Sequence, residues 1–380
     1  MRVLTLVLTL CIAAALTSCS EFSSEPVMSE EEKAAQPYIE EAEATMAEAK
    51  SEIEDFAQGW VGSRSTVVVP AGSVDALADA IAEAGVGGTV VLASGEHTEN
   101  EPLVIDQQVK IEGEADAVLL FPNAPAPAPI PVEILPAIHI KDASRVWLKD
   151  FSMSPGTEEA GRHAIVIQDG PRTRVEGLTI AGFQHGIFID GGNRCQIVGN
   201  TLVGVFAEYP DALIHWGVTN CAGQRTIMYD NETANFNVGL FFSDRNGLAF
   251  SNTVSGGDIG VIWCTVPEWQ VYPDGSEAAA ETSATAWRGY GNTAIGATFN
   301  FLIVDGAESS VAIQNQSIDP GLYDYEIAAE TDRFGAPVPT SSNSLVISVG
   351  PYMDAGIKDC TGDNTIIGGS LIDTSADPCF

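Results

Sequence analysis

Three separate columns of residues advance along this chain together, and that repeat limits its fold more than any other feature. Short segments patterned small, apolar, any, apolar begin at Ala137 (AIHI), Ala164 (AIVI), Gly186 (GIFI), Gly217 (GVTN), Gly239 (GLFF) and Gly260 (GVIW), at steps of 27, 22, 31, 22 and 21 residues. Arg145, Arg172, Arg194, Arg225 and Arg245 follow at 27, 22, 31 and 20. Asp150, Gly177, Asn200, Asn231 and Asn252 follow at 27, 23, 31 and 21. Columns that lengthen and shorten in step mark stacked copies of one structural unit. A unit near 22 residues holds three short strands and three turns, one coil of a parallel β-solenoid. After a helical pattern over 73–84 no long helix follows, so the body is read as all-β.

These columns resemble the right-handed parallel β-helix repeats of the pectin-lyase-like superfamily, and the resemblance covers roughly residues 67–380. The opening agrees: a helical stretch, then Gly87-Gly88-Thr89-Val90-Val91-Leu92 and Ser94-Gly95-Glu96-His97-Thr98-Glu99, is similar to the capping helix and first coil of such proteins. The resemblance implies that the Gly-Ile segments are the first strands of each coil. The strands before and after the Asn column are then the second and third. Side-chain amides of stacked Asn residues hydrogen-bond along the axis, so that column is structural. Asn315 and Gly369 continue it after insertions. Residues 264–290 and 319–343 read as excursions, as does 122–136, whose six prolines exclude a central strand.

Such a fold says little about function, and the motifs of its catalytic families are missing. Asn-Thr-Asp, Asp-Asp, Gly-His-Gly and Arg-Ile-Lys of polygalacturonase-like hydrolases do not occur, nor does Asp-Pro-His-Asp of alginate epimerases; Gln184-His185-Gly186 is a fragment of one. Calcium-dependent lyases need clustered carboxylates beside a Lys or Arg base. Asp190, Asp211, Asp244 and Arg245 meet that need only if the fold gathers them, and Ca²⁺ is the one cofactor this leaves open.

On pectin-lyase-like helices substrates lie along the first-strand face, bordered by long turns. Two turns are long here, 154–163 and 204–215. They bring His163, His185 and His215, with Asp211, as candidate acid–base groups, and Trp216, Tyr209, Asp190 and Arg245 as candidate substrate-binding groups. The competing reading puts the histidines in the core, since alternation from Ile187 turns His185 inward. The Arg column also has two readings. An Asp accompanies each Arg in the sequences Asp142-x-x-Arg145, Asp169-x-x-Arg172, Asp190-x-x-x-Arg194 and Asp244-Arg245. Mutual neutralisation is therefore expected; the other reading is a row of guanidinium groups that grips an anionic sugar chain.

The N-terminus carries an address. Arg2 and the apolar run 3–16 have the length of a signal-peptide core, and Leu16-Thr17-Ser18-Cys19 resembles the lipobox of bacterial lipoproteins. That resemblance implies cleavage after residue 18, lipidation of Cys19 and tethering to a membrane, with Ser20 similar to an outer-membrane sorting signal. Residues 1–18 are then signal, 19–66 an acidic tether and 67–380 the β-helix domain. The tether holds twelve acids and two lysines over 21–60. Within it, Ile39, Met46, Ile53 and Trp60, with Ala42, Ala49 and Phe56, form one helical stripe. The stripe either packs against the body, the reading preferred here, or builds a homo-oligomeric stalk over 37–60.

The formal net charge of −35, from 17 basic and 52 acidic residues, argues against nucleic acid as a partner. Beyond Cys11 and Cys19, five cysteines remain: Cys195, Cys221, Cys264, Cys360 and Cys379. Cys221 and Cys264 share a column two coils apart, too far for a bridge, whereas Cys360 and Cys379 bracket the last coil. Two function classes are expected. One is an envelope lipoprotein that binds and processes an extended polysaccharide by lyase, epimerase or hydrolase chemistry; the other is a noncatalytic adhesion, assembly or structural module.

Overall fold

Stacked coils need every backbone N–H and C=O to find a partner in the neighbouring coil, and parallel pairing supplies them. In a computed structural model the pairings between long-sheet strands are all parallel. The structure describes residues 28–60, 65–128, 132–157, 160–208, 215–243, 245–264, 270–272, 284–304, 307–328, 341–352 and 355–372. The lipobox and Cys19 lie outside these residues, as do Tyr209, Asp211, Asp244 and Cys379. Among the described residues the second strands form a twelve-stranded sheet, from Thr66–Val69 to Thr365–Gly368. First and third strands merge into a nineteen-stranded sheet, because Thr179–Asp190 runs unbroken from a third strand into the next first strand. The fold is a right-handed parallel β-helix.

The repeat columns fall on the expected turns, with three corrections. Asn200, Asn231, Asn252, Asn292 and Asn315 form the amide ladder. The first four Nδ2 groups donate to the next Oδ1 at 2.8–2.9 Å, and all five donate to a backbone carbonyl of the preceding coil at 2.8–3.0 Å. Each Oδ1 also accepts the backbone N–H of the residue one rung back, so the ladder starts at the N–H of Leu178. Asn292 was hidden by the preceding insertion. Thr285 bridges Arg245 and the strand Arg288–Tyr290 pairs with Leu248–Phe250, so the coil has resumed by residue 285 and the excursion does not reach 290. Asp150 and Gly177 stand one residue before the ladder, in a left-handed position shared with Gly199, Asp230 and Ser251. Likewise Arg145, Arg172, Arg194 and Arg225 share a left-handed turn position (φ 56–59°), but the fifth place belongs to Asn246 and not to Arg245.

Among the described residues two α-helices attach to this rod. α1, Glu30–Gly59, starts with a capping box between Ser29 and Glu32. Its stripe packs on the outer face of the twelve-stranded sheet: Ala35, Ile39, Ala42, Ala49 and Ile53 are buried against Val198, Ile227, Leu248, Phe250, Tyr290 and Ile347. Thirty residues give about 45 Å of helix. The nine rungs from Trp147–Lys149 to Thr365–Gly368 span about 38 Å at 4.8 Å each. The helix is thus long enough to run the length of those rungs, and its apolar stripe is used within its own chain.

The far end of α1 is held by Arg174. Its guanidinium donates to the carbonyl of Ile53 and at 3.2 Å to Gln196 Oε1, pairs with Glu176 at 2.9 Å, and lies over the rings of Phe56 and Trp147 at 5.4 and 5.3 Å. A cation at a helix C-terminus stabilises the exposed carbonyls. α2, Leu77–Ala84, caps the first coil, and the Glu99 carboxylate accepts the N–H groups of Ala76 and Leu77 at 3.1 and 3.0 Å.

The ladder generates a stability prediction. Asn252→Ala removes donors and an acceptor from the fully enclosed turn, leaves the Asn231 backbone N–H without its acceptor and takes one of two donors from Asn292 Oδ1. A loss of about 2–4 kcal/mol is expected, read as a lowered urea midpoint. An unchanged midpoint would show that the amide ladder contributes nothing net.

Candidate functional site

Strand parity puts Val166, Phe188, Phe241, Ile262 and Leu302 on the outer side of the first strands. In an open groove these would meet solvent; instead they are buried in one apolar cluster with Trp216 and Tyr272. The cover comes from two excursions. Val132–Glu133 and Gln270–Val271 pair as a small parallel sheet, and Tyr272 follows directly. The Tyr272 hydroxyl donates to Asp190 Oδ2 at 2.8 Å, and its ring stacks on His139 with centroids 5.9 Å apart. Burial, then the Asp190 charge, pushes the Tyr272 hydroxyl far above the ordinary phenol range. It stays a donor. Asp190, a candidate substrate ligand, is therefore engaged inside the protein and only 6% exposed.

The three candidate histidines are also enclosed, at 1%, 1% and 0% exposure for His163, His185 and His215. His163 and His185 are register partners, which stacks their rings at 4.4 Å. His185 continues to Trp216 at 5.4 Å, and Trp216 stacks on Phe188 at 6.2 Å. His215 meets Phe206 at 5.5 Å. Burial, with Arg162 nearby, holds the His163 pKa down to about 3; burial and the neighbouring imidazoles hold His185 well below its usual value. Both are neutral in ordinary buffers. Leu135 N–H donates to His163 Nδ1 at 3.4 Å, while neither nitrogen of His185 has a hydrogen-bond partner. The geometry brings His163, His185 and Trp216 together, in a sealed aromatic pile. Arg245 is exposed elsewhere.

The accessible charged site lies at the opposite corner. Arg145, Arg172 and Arg194 are exposed in consecutive coils and, with Gln196, form one wall of a pocket of about 210 Å³. Glu52, Asp55, Phe56, Gly59 and Trp60 of the α1 end form the other. Mutual neutralisation in the Arg column is not what the structure shows. Among the described residues no carboxylate lies within 4.0 Å of Arg145, Arg172 or Arg194, and the ion pairs found involve other bases. The Asp residues meant to pair with them take other places: Asp142 and Asp169 occupy their own left-handed turn and Asp190 binds Tyr272. Sequence reasoning missed the helix wall, because nothing in the heptad stripe says where on the body α1 ends.

It also missed a buried pair near the C-terminal end. Lys358, fully enclosed, lies 3.3 Å from Glu326 and over the Tyr323 ring at 4.7 Å. Among the described residues no cluster of three or more His, Cys, Asp or Glu is arranged to hold a metal ion. Cys195, Cys221 and Cys264 are outside disulfides. Cys360 is disulfide-bonded, with a partner outside the described residues.

No family model matches the sequence, and no curated protein does. Solved structures do. A family 28 exopolygalacturonase of Yersinia enterocolitica aligns at 12% identity with TM-score 0.50, over 82% of this chain and 69% of that one. The A-module of a mannuronan C-5 epimerase of Azotobacter vinelandii gives 13% and 0.49, over 78% and 89%. The tailspike of E. coli bacteriophage HK620, in complex with a pentasaccharide, gives 12% and 0.48, over 77% and 54%. At such identity the likeness concerns fold alone, and the fold shared is the right-handed parallel β-helix.

The histidines give a pH prediction. A folded pKa below the unfolded one means that the unfolded chain binds more protons between about 6.5 and 3, so this contribution is complete above 6.5 and lost as pH falls. His163→Leu should therefore lose less stability than wild type between pH 7 and pH 4, by an amount on the order of a few kcal/mol. Urea midpoints at the two pH values measure it; parallel losses in both proteins would contradict burial of a neutral imidazole.

Proposed function

We propose that the protein is a lipid-anchored β-helix of the bacterial envelope that binds an extended polysaccharide along its coils and holds it without turnover. The observation that carries this reading is the periodic rod. Outward positions recur once per coil at about 4.8 Å over twelve rungs, so a polymer of repeating units meets repeating chemistry. The fold shared with an exopolygalacturonase supports a polysaccharide as the partner. Holding is favoured over cleavage because general acid–base catalysis needs a titrating group within reach of the substrate. His163 and His185 are instead sealed and neutral. Lipidation at Cys19 would place the rod at a membrane, with the acidic tether keeping it off an anionic surface.

A panel of uronate and neutral polysaccharides, incubated with the protein with and without Ca²⁺, tests this. Saturable binding of at least one polymer is expected, with product masses unchanged by mass spectrometry and sugar configuration unchanged by NMR. Shortened, unsaturated or epimerised products would establish an enzyme and sink the holding reading; no binding to any polymer would sink both.

A further inference from the structure

We propose that Arg145, Arg172 and Arg194, together with the last turns of α1, form a binding pocket for an acidic sugar chain. Carboxylate or sulfate groups lie on the guanidiniums and a sugar ring lies against Trp60. The proposal rests on the reading of the protein as a polysaccharide binder and adds the site and the charge class of the polymer.

The turn itself does not ask for arginine. The same left-handed position is filled in later coils by Asn246, Ala286, Ser309 and Asn343. A left-handed conformation is unfavourable for an L-residue other than glycine, and least so for Asn or Asp. Four consecutive coils nevertheless carry Arg there. Stacking places like charges side by side in register, which is destabilising unless something neutralises them. A chain with 52 acidic residues has ample means to do so, yet among the described residues no carboxylate reaches Arg145, Arg172 or Arg194. An in-register row of unpaired guanidiniums is complementary to a polymer that carries one anionic group per repeating unit, each taken by a planar two-donor fork.

The opposite wall distinguishes sugar from phosphate. Phe56 and Trp60 pack edge-on against Trp147 at 5.6 and 5.9 Å, which fixes their rings beside the pocket. Trp60 Nε1 is buried and donates to nothing. Glu52 and Asp55 face the same space; they repel a dense phosphodiester and accept hydrogen bonds from sugar hydroxyls. Guanidinium, carboxylate and aromatic groups around one pocket match a chain that has acidic groups, hydroxyls and apolar ring faces. The helix end is part of the site, so a bound polymer also secures the tether helix to the rod.

The test uses the full chain, detergent-solubilised, and titrates polygalacturonate, alginate, dextran sulfate, neutral dextran and single-stranded DNA, with Trp fluorescence as a second readout. Acidic polysaccharides are expected to bind and to be displaced by salt. Arg172→Glu and Arg194→Gln should each weaken binding by roughly tenfold or more, and Trp60→Leu should abolish the fluorescence change. Melting temperatures should not fall for the Arg variants, whose side chains pair with no described residue and repel one another. If Arg172→Glu folds poorly, Arg194→Gln decides alone. Acidic polymers that bind wild type and Arg variants equally would overturn this site and leave the polysaccharide reading standing. Preference for neutral dextran would do the same. Binding of DNA but no polysaccharide, or of nothing, would overturn both.

Discussion

Parallel stacking at one coil per 4.8 Å is the constraint on which everything else in this protein depends. Each coil is too small to enclose its own apolar residues, so Ile165, Ile187, Val218, Leu240 and Val261 become core only because they lie over one another. The same stacking sets identical turn positions in register. For an amide that register is favourable, since Asn is donor and acceptor at once and a ladder satisfies both functions at every rung. For a guanidinium it is unfavourable, since Arg only donates. One geometric rule therefore yields a structural column at one corner and a site that lacks a counter-charge at another.

Two outer faces of the rod are covered, each by a different part of the chain. The second-strand face is covered by α1, whose apolar stripe matches the outward residues Ile227, Leu248 and Phe250. The first-strand face is covered by the excursions, which bring Tyr272 onto Asp190 and His139. Covering both removes the apolar outer surface that an uncovered solenoid would present to water. It also moves accessible charge to the corner between these faces, where the arginine row meets the end of the helix. On this architecture the covered first-strand face supplies stability, and the corner is where the proposed recognition is assigned.

Much of this was legible in the sequence. Stacked columns reveal themselves because an insertion shifts all three by the same amount, as the 27- and 31-residue steps do. The limits are those of counting. Asn292 follows an insertion that stretches its step to 40 residues, and Arg245 stands one place away from a turn that Asn246 occupies; sequence spacing alone does not reveal a one-residue slip in a turn. The buried place of His185 follows from alternation. Its neutral partners do not, because they depend on which residues of adjacent coils share a rung. The helix stripe was visible as a stripe, but its landing site is a matter of tertiary packing, and with it the Phe56 and Trp60 wall of the pocket.

That a helix end lines the arginine pocket has a physical consequence. Packing of α1 places acidic Glu52 and Asp55 opposite the arginine row without ion pairing, so the helix end softens the repulsion among the guanidiniums while leaving their hydrogen-bond donors open. An acidic polymer entering the pocket replaces this weak, distant compensation with direct contact. Because binding free energy adds to the stability of whichever state forms the site, a ligand bound as proposed and docking of α1 would favour one another. Arg174, which reaches Ile53, Glu176, Phe56 and Trp147, is the residue that fixes the helix end beside the pocket.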